Sequence, residues 1–145
     1  NPSDAMRYGI SFLTEDRRTD GLALQLPIKT NINMNSYAMI SKGGVISLKA
    51  EQDRAVDYSK RVNVKTPSVM QLVGNLSGGN QQKVVIAKLL CCDPDVLISS
   101  YLPEVMGLSD RLIVMAQGKI TGEFASEELK NLREEDVLKR ASIES

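Results

Sequence analysis

Apolar positions along this chain fall into short runs with different periods. The run "GISFL" predicts a strand over 10–13, after a short helix that closes at Gly9, a residue suited to the left-handed end of a helix. A charged loop follows, and Pro27 separates it from "IKTNINMNSYAMISKGGVIS", which reads as helix over 30–40 and breaks at Gly43-Gly44. "SLKAEQDRAVDYSKRVNVKTP" predicts a helix capped near Ser47 and finished before Pro67. The next helix, after Ser77, carries Val84, Val85, Ile86, Ala87, Leu89 and Leu90, so it is apolar nearly all round and buried on most sides. Asp93-Pro94 ends it, and "DVLIS" reads as a short buried strand. "YLPEVMGLSD" is a short helix with Pro103 in its first turn, and "DRLIVMAQGKITGEF" is a hairpin turning at Gln117-Gly118. The tail "SEELKNLREEDVLKRA" reads as a helix capped by Ser126, with acids early and Lys139-Arg140 late.

This order predicts an α/β layer with a helical subdomain inserted. The first strand meets no parallel neighbour until Val96, about eighty residues later. The 145 residues suit one domain or a piece of a larger one. A formal net charge of zero gives no global field for nucleic acid or an anionic membrane. No apolar run approaches a membrane span and no signal peptide opens the sequence, so the expected compartment is cytoplasmic. The absence of histidine removes His-based triads, bases and metal ligands, and the absence of tryptophan weakens readings that need ring stacking. Cys91 and Cys92 are adjacent, match no zinc spacing and are expected to pack in the core.

The stretch "VGNLSGGNQQKVVIAKLL" raises a specific question, because one cap suffices to start a helix and a second glycine costs conformational entropy. Ser77, Gly78 and Gly79 at a helix N-terminus describe a phosphate cradle, with the neutral donors Asn80, Gln81 and Gln82 beside it. They equally describe a glycine-rich loop with a serine cap, and local physics leaves both open. The glycine spacings of dinucleotide-binding loops and P-loops are both missing.

"LSGGNQQK" resembles the signature motif of ABC transporters, in the form found in the second ATP-binding cassette of bacterial sugar importers of the ribose, galactose, arabinose and autoinducer-2 type. "GISFLTEDRRTDGL" is similar to that family's Gly-Ile-x-Tyr-Val-Pro-Glu-Asp-Arg-Lys segment. "NVKTPSVMQLVGNLSGGNQQKVVIAKLL" resembles its linker into the signature helix, and "ISSYLPEVMGLSDRLIVMAQGKITGEF" the segment after its last cassette strands. The resemblance implies an incomplete P-loop NTPase fold, an ABC cassette with an inserted helical subdomain and a C-terminal β-hairpin plus helix. It implies a single incomplete nucleotide-binding domain over 1–145, with the helical subdomain and signature motif over about 26–92 and pieces of the core over 1–25 and 93–145.

In such cassettes ATP lies between two cassettes arranged head to tail. The resemblance therefore implies that Ser77, Gly78 and Gly79 contact phosphate held by another cassette, with Gln81 near the nucleotide. Glu15 falls where most cassettes carry the Q-loop glutamine, and its carboxylate suits Mg²⁺ directly or through water. The alternative for Glu15, Asp16, Arg17 and Arg18 is a solvated loop with surface ion pairs. Ser100 falls at the switch-loop histidine, where a hydroxyl donates but cannot act as an imidazole. No catalytic residue and no other metal ligand is expected. The insertion over 26–68 resembles the subdomain that docks the permease, and Ile32, Met34, Tyr37, Met39 and Ile40 are either its core or its contact surface.

ATP and Mg are the implied cofactors of the full-length protein, with none expected on this chain alone. The implied partners are a second cassette, a transmembrane permease and, indirectly, a periplasmic or extracellular sugar-binding protein. Nucleic acid is not among them, while exposed sheet edges suit a homo-oligomer. The implied location is peripheral, on the inner face of the plasma membrane.

Two departures stand against the family pattern. No Gly-x-x-x-x-Gly-Lys-Ser/Thr occurs in the sequence, and "DPDVLI" runs directly into Ser99-Ser100-Tyr101 rather than into a Walker B Leu-Asp-Glu-Pro. The resemblance thus implies that a few dozen residues, with the Mg²⁺-binding aspartate and the catalytic-base glutamate, are missing at this junction. The chain as written is then expected to be inactive as an ATPase. A reading from another class is a non-catalytic helical module that docks a membrane or cassette partner.

Overall fold

The computed structural model describes residues 1–142, the side chains of positions 18 and 104 apart. The chain divides into two compact units, Asn1–Ser100 and Tyr101–Ser145.

In the first unit, helix α1 (Pro2–Arg7) is capped by Asn1, whose Oδ1 accepts from the Asp4 N–H at 3.0 Å. It closes at Gly9, with φ +71°, as the sequence predicts. Strand β1 (Ile10–Phe12) follows, then a π-helical turn (Arg17–Gly21), helix α2 (Ile28–Asn33) and a 3₁₀ turn (Tyr37–Ile40). Strands β2 (Ser41–Lys42) and β3 (Val45–Ile46) form a small hairpin around Gly43 and Gly44, both at positive φ. Helix α3 (Leu48–Arg61), capped by Ser47, leads through a 3₁₀ turn (Val73–Asn75) to α4 (Gly78–Leu90) and then to β4 (Val96–Ile98).

Helix α4 is the axis of the core. Val84, Val85, Ile86, Ala87 and Leu89 are buried against Ile28 and Ile32 of α2 and Ala55 of α3. Burial on all sides is what its nearly uniform apolar surface requires. Cys91 caps its C-terminus inside the core, with Ser36 Oγ donating to Sγ at 3.3 Å, while Cys92 is half-buried. Ile32 and Ile40 are buried, Tyr37 is half-buried, and Met34 and Met39 are exposed.

Two expectations for this unit fail. The helix expected over 30–40 starts at Ile28, directly after Pro27, and ends at Asn33. Its first N–H groups, of Ile28 and Lys29, donate to the carbonyls of Gln71 and Val69. At its end the Asn33 amide donates to the Lys29 carbonyl and, at 2.9 Å, to the Glu51 carbonyl of α3. Long-range bonds therefore fix both ends, and local periodicity cannot see them. Strand β4 is not buried: Val96 and Ile98 are each about half exposed. It pairs with β1 in parallel, Ile10 opposite Val96 and Phe12 opposite Ile98, in a two-stranded sheet. Only the face carrying Ser11 and Leu97 is covered within the unit; that of Ile10, Phe12, Val96 and Ile98 is open.

One buried polar network joins α2, the 3₁₀ turn and α3. The Lys29 Nζ lies 2.9 Å from Glu51 Oε2, and the Tyr37 hydroxyl donates to Glu51 Oε1 at 2.7 Å. Burial raises the Glu51 pKa, but the Tyr37 and Lys29 hydrogen bonds and the Lys29 charge outweigh it and hold the carboxyl below its ordinary value. Burial and the Glu51 carboxylate push the Tyr37 phenol up to about 12. A depressed carboxyl pKa stabilises the fold above the unfolded pKa, and that contribution is lost as pH falls through the folded one. Glu51→Gln is therefore expected to cost about 2 kcal/mol at pH 7, the scale of hydrogen bonds to a charged group. The difference from the parent should shrink at pH 3. Urea unfolding at both pH values checks this, and an equal gap at both would contradict it.

The second unit contains α5 (Leu102–Met106), strands β5 (Arg111–Ala116) and β6 (Lys119–Ala125), and helices α6 (Ser126–Leu129) and α7 (Glu134–Ala141). The hairpin turns at Gln117 and Gly118, both at positive φ, as the sequence predicts. The single tail helix becomes two. The Ala125 N–H donates to Glu128 Oε2 at 2.8 Å, so α6 starts with Ala125 as its cap and Ser126 inside it. Glu134, Glu135 and Asp136 form the acidic first turn of a second helix, whose Val137 is buried. Among the described residues no helix is long and apolar enough to cross a membrane.

Candidate functional site

The doubled glycine lies at the N-terminus of α4. Ser77 is the extended residue before the helix, and its carbonyl accepts the Gln81 N–H at 2.9 Å. Its hydroxyl does not bond the helix backbone but accepts from Asn80 Nδ2 at 3.0 Å. Asn80 Oδ1 in turn accepts the Lys65 N–H at 2.9 Å, which ties the first turn of α4 to the segment following α3. N–H groups of a first helical turn have no acceptor inside the helix and carry its positive dipole end.

The two glycines do different work. A Cβ on Gly79 would meet nothing within 4 Å, so the backbone there is open to an approaching ligand. A Cβ on Gly78 would stand 2.6 Å from Arg17 Nη2. Arg17 opens the π-helical turn, and its guanidinium lies over Gly78 because that residue has no side chain.

That turn is firmly anchored. Thr19 N–H donates to Asp16 Oδ1 at 3.2 Å. At the far end the Lys88 ammonium, buried on the third turn of α4, donates to the Gly21 carbonyl. Burial pushes the Lys88 pKa down, with Cys92 acting weakly the other way. Beyond the turn, Asn31 Oδ1 accepts the Ala23 N–H at 2.8 Å and its Nδ2 donates to the carbonyls of Ala23, Leu26 and Pro27. Arg17 thus sits on a loop pinned to both α2 and α4. Its Nε is buried without a partner, and no described residue accepts from the guanidinium.

Glu15 is exposed on the same loop, two residues before Arg17. The parallel β1–β4 pair places the chain after Phe12 and the chain after Ile98 at one end of the sheet, where Leu13 N–H donates to the Ile98 carbonyl at 2.8 Å. Glu15 and the exposed Ser100 therefore leave from the same sheet end, the end at which open α/β sheets bind ligands. Gln81 does not join them. It is 3 % exposed, and its Nε2 donates to the Val73 carbonyl at 3.3 Å inside the core. Among the described residues no group of three or more carboxylate, thiol or imidazole side chains comes together to hold a metal.

Sequence reasoning missed Arg17 as part of this site. The signal was the first of the two glycines: it announces a close approach, and the group approaching is a side chain of the loop after β1. Open backbone at Gly79, a serine hydroxyl and an unpaired guanidinium beside a positive helix end suit an anion with several oxygens, such as a phosphate.

The sequence model of the ABC transporter family matches residues 2–99. The xylose import ATP-binding protein XylG of Thermoanaerobacter pseudethanolicus is 41% identical over 160 residues, covering 88% of this chain and 32% of that protein. The chain thus spans about a third of the length of this relative. Among solved structures, the dimeric bacterial ABC transporter cassette MJ0796 superposes with a TM-score of 0.60 at 17% identity, covering 86% of this chain and 66% of that one. A nucleotide-free ATP-binding cassette from an ABC transporter gives a TM-score of 0.56 at 18% identity, covering 99% and 72%. At such identities the likeness is one of fold: α/β, in the ABC cassette form of the P-loop NTPases.

Proposed function

The chain belongs to the ABC transporter ATP-binding family, and on that premise we propose that it is part of the second cassette of a sugar-importer ATPase, supplying the signature half of a shared ATP site. The observation that carries this reading is the open N-terminus of α4, where Ser77 and Gly79 face outward beside the unpaired Arg17. ATP with its Mg²⁺ supplies the reactive phosphoanhydride. Ser77 Oγ donates to a phosphate oxygen held by the opposing cassette, while the first-turn N–H groups and the α4 dipole stabilise its charge. Gly78 and Gly79 keep that face clear, and Gln81 supports it from beneath by fixing the 3₁₀ turn before the helix.

Glu15 offers one carboxylate at the sheet end and reports on nucleotide or metal bound beside it. Ser100 contributes a hydroxyl there, but it holds no proton-accepting imidazole. Residues 1–145 form one incomplete nucleotide-binding domain in this reading, with the helical subdomain over about 26–92. Its exposed Met34 and Met39 belong to the surface that docks a permease, methionine suiting an adaptable contact. The subunit then works on the inner face of the plasma membrane, with a sugar-binding protein acting upstream of the permease.

Hydrolysis requires the partner's phosphate-binding parts and a metal-binding segment this chain does not carry. The match to the xylose import protein runs over 160 residues, more than 88% of a 145-residue chain can fill, so that relative holds a few dozen residues inside the matched span without counterpart here. The 145-residue chain alone is accordingly expected to release no phosphate from MgATP beyond the level of its Gly79→Asp variant. Turnover that survives removal of contaminating ATPases and disappears in the variant would overturn the reading.

A further inference from the structure

We propose that Arg17 supplies a cationic contact to the ATP phosphate that α4 faces, a role that rests on reading α4 as half of a nucleotide site. Three observations converge on it. The guanidinium lies against Gly78, at the positive end of the α4 dipole, where a cation is the unfavourable sign. It carries five N–H donors, and its Nε is buried without an acceptor. Its position is not incidental, because Lys88 and Asn31 pin the chain just beyond it, and Gly78 leaves the space that it fills. A flexible arginine with no partner ordinarily extends into water. Here the fold holds the part-buried guanidinium with Nη2 against Gly78, beside the helix N-terminus, and a phosphate arriving there can accept bonds from it.

A merely structural lid over Gly78 makes a different prediction, and substitutions in the full-length subunit paired with its partner cassette separate the two. Arg17→Met fills the same space without charge, and Arg17→Lys keeps the charge without the fork. As a phosphate contact, Arg17→Met raises the ATP concentration for half-maximal cassette pairing about tenfold, and Arg17→Lys restores part of that loss. The nucleotide-free melting temperature of Arg17→Met stays level or rises, because an unpaired cation leaves the helix N-terminus. The rise in melting temperature that ATP produces shrinks.

Half-saturation by ATP within twofold of the parent in Arg17→Met would overturn the proposal, whatever happens to stability. Gly79→Asp, measured alongside, locates the failure. If it abolishes ATP-driven pairing while Arg17→Met does not, the assignment of Arg17 alone is wrong. If it too leaves pairing intact, α4 is not a nucleotide half-site and both readings fall.

Discussion

Gly79→Asp is expected to lower ATP turnover by the full-length, partner-bound protein at least about a hundredfold, the scale on which one preorganised donor to a developing anion matters. No atom stands within 4 Å of a Cβ at this position, so the fold has room for the new side chain. A carboxylate in the first turn of a helix is moreover on the favourable side of the dipole, worth about 0.3–1 kcal/mol. Stability should therefore hold or rise while catalysis collapses, because the carboxylate occupies the approach of a phosphate and repels it. Gly79→Ala tests the steric share alone and should be much milder. Phosphate release measured with a thermal melt of the same preparation decides the matter. Turnover within tenfold of the parent would mean that no phosphate approaches this end of α4.

Asn31→Leu should destabilise the first unit by about 3 kcal/mol, roughly 14 °C in melting temperature for a unit of this size. Asn31 is fully buried and its amide serves Ala23, Leu26 and Pro27 together. The carbonyls mostly survive its loss: that of Leu26 also accepts from Val73, that of Ala23 from Leu26, and that of Pro27 from the Asn31 backbone. Among the described residues the Ala23 N–H has no second acceptor and, part-buried, would be left without its bond. One orphaned donor and the lost amide bonds together give the figure. Because the same loop continues from the turn that carries Arg17, ATP affinity in the assembled protein should fall with stability. A urea-unfolding difference below about 1 kcal/mol would show that the loop is held by Lys88 instead.

Much of the fold is legible in the sequence where the cause is local. Gly9 and the Gln117-Gly118 turn follow from positive φ, Ser47 from an oxygen placed to cap a helix, and α4 from its uniform apolar surface. What escapes is set by partners far along the chain. Asn33 ends α2 through the Glu51 carbonyl, eighteen residues on. The β4 residues have the composition of a buried strand, but only one face of a two-stranded sheet is covered in this unit. In the site, Ser77, Gly78 and Gly79 are legible because glycine at a helix start is costly and needs a reason. Arg17 is not, because a basic residue in a charged loop carries no mark of the backbone it will lie against. Gln81 reads as a donor beside the cradle, yet its place on the helix turns it inward toward Val73.

The pairing of Ile10 with Val96 also fixes an order of events. Everything between these strands, including α2, α3 and α4 and their shared core, makes contacts closer in sequence and closes smaller loops. That bundle can assemble first and bring the two strand ends near each other, so the cost of closing the long loop is met before the strands meet. With only three residues each and one face open, β1 and β4 are then expected to pair after that bundle and to part before it. Weakening them should hasten unfolding far more than it slows folding. The sheet end from which Glu15 and Ser100 leave is thus expected to open more readily than the buried helix that offers Ser77 and Gly79.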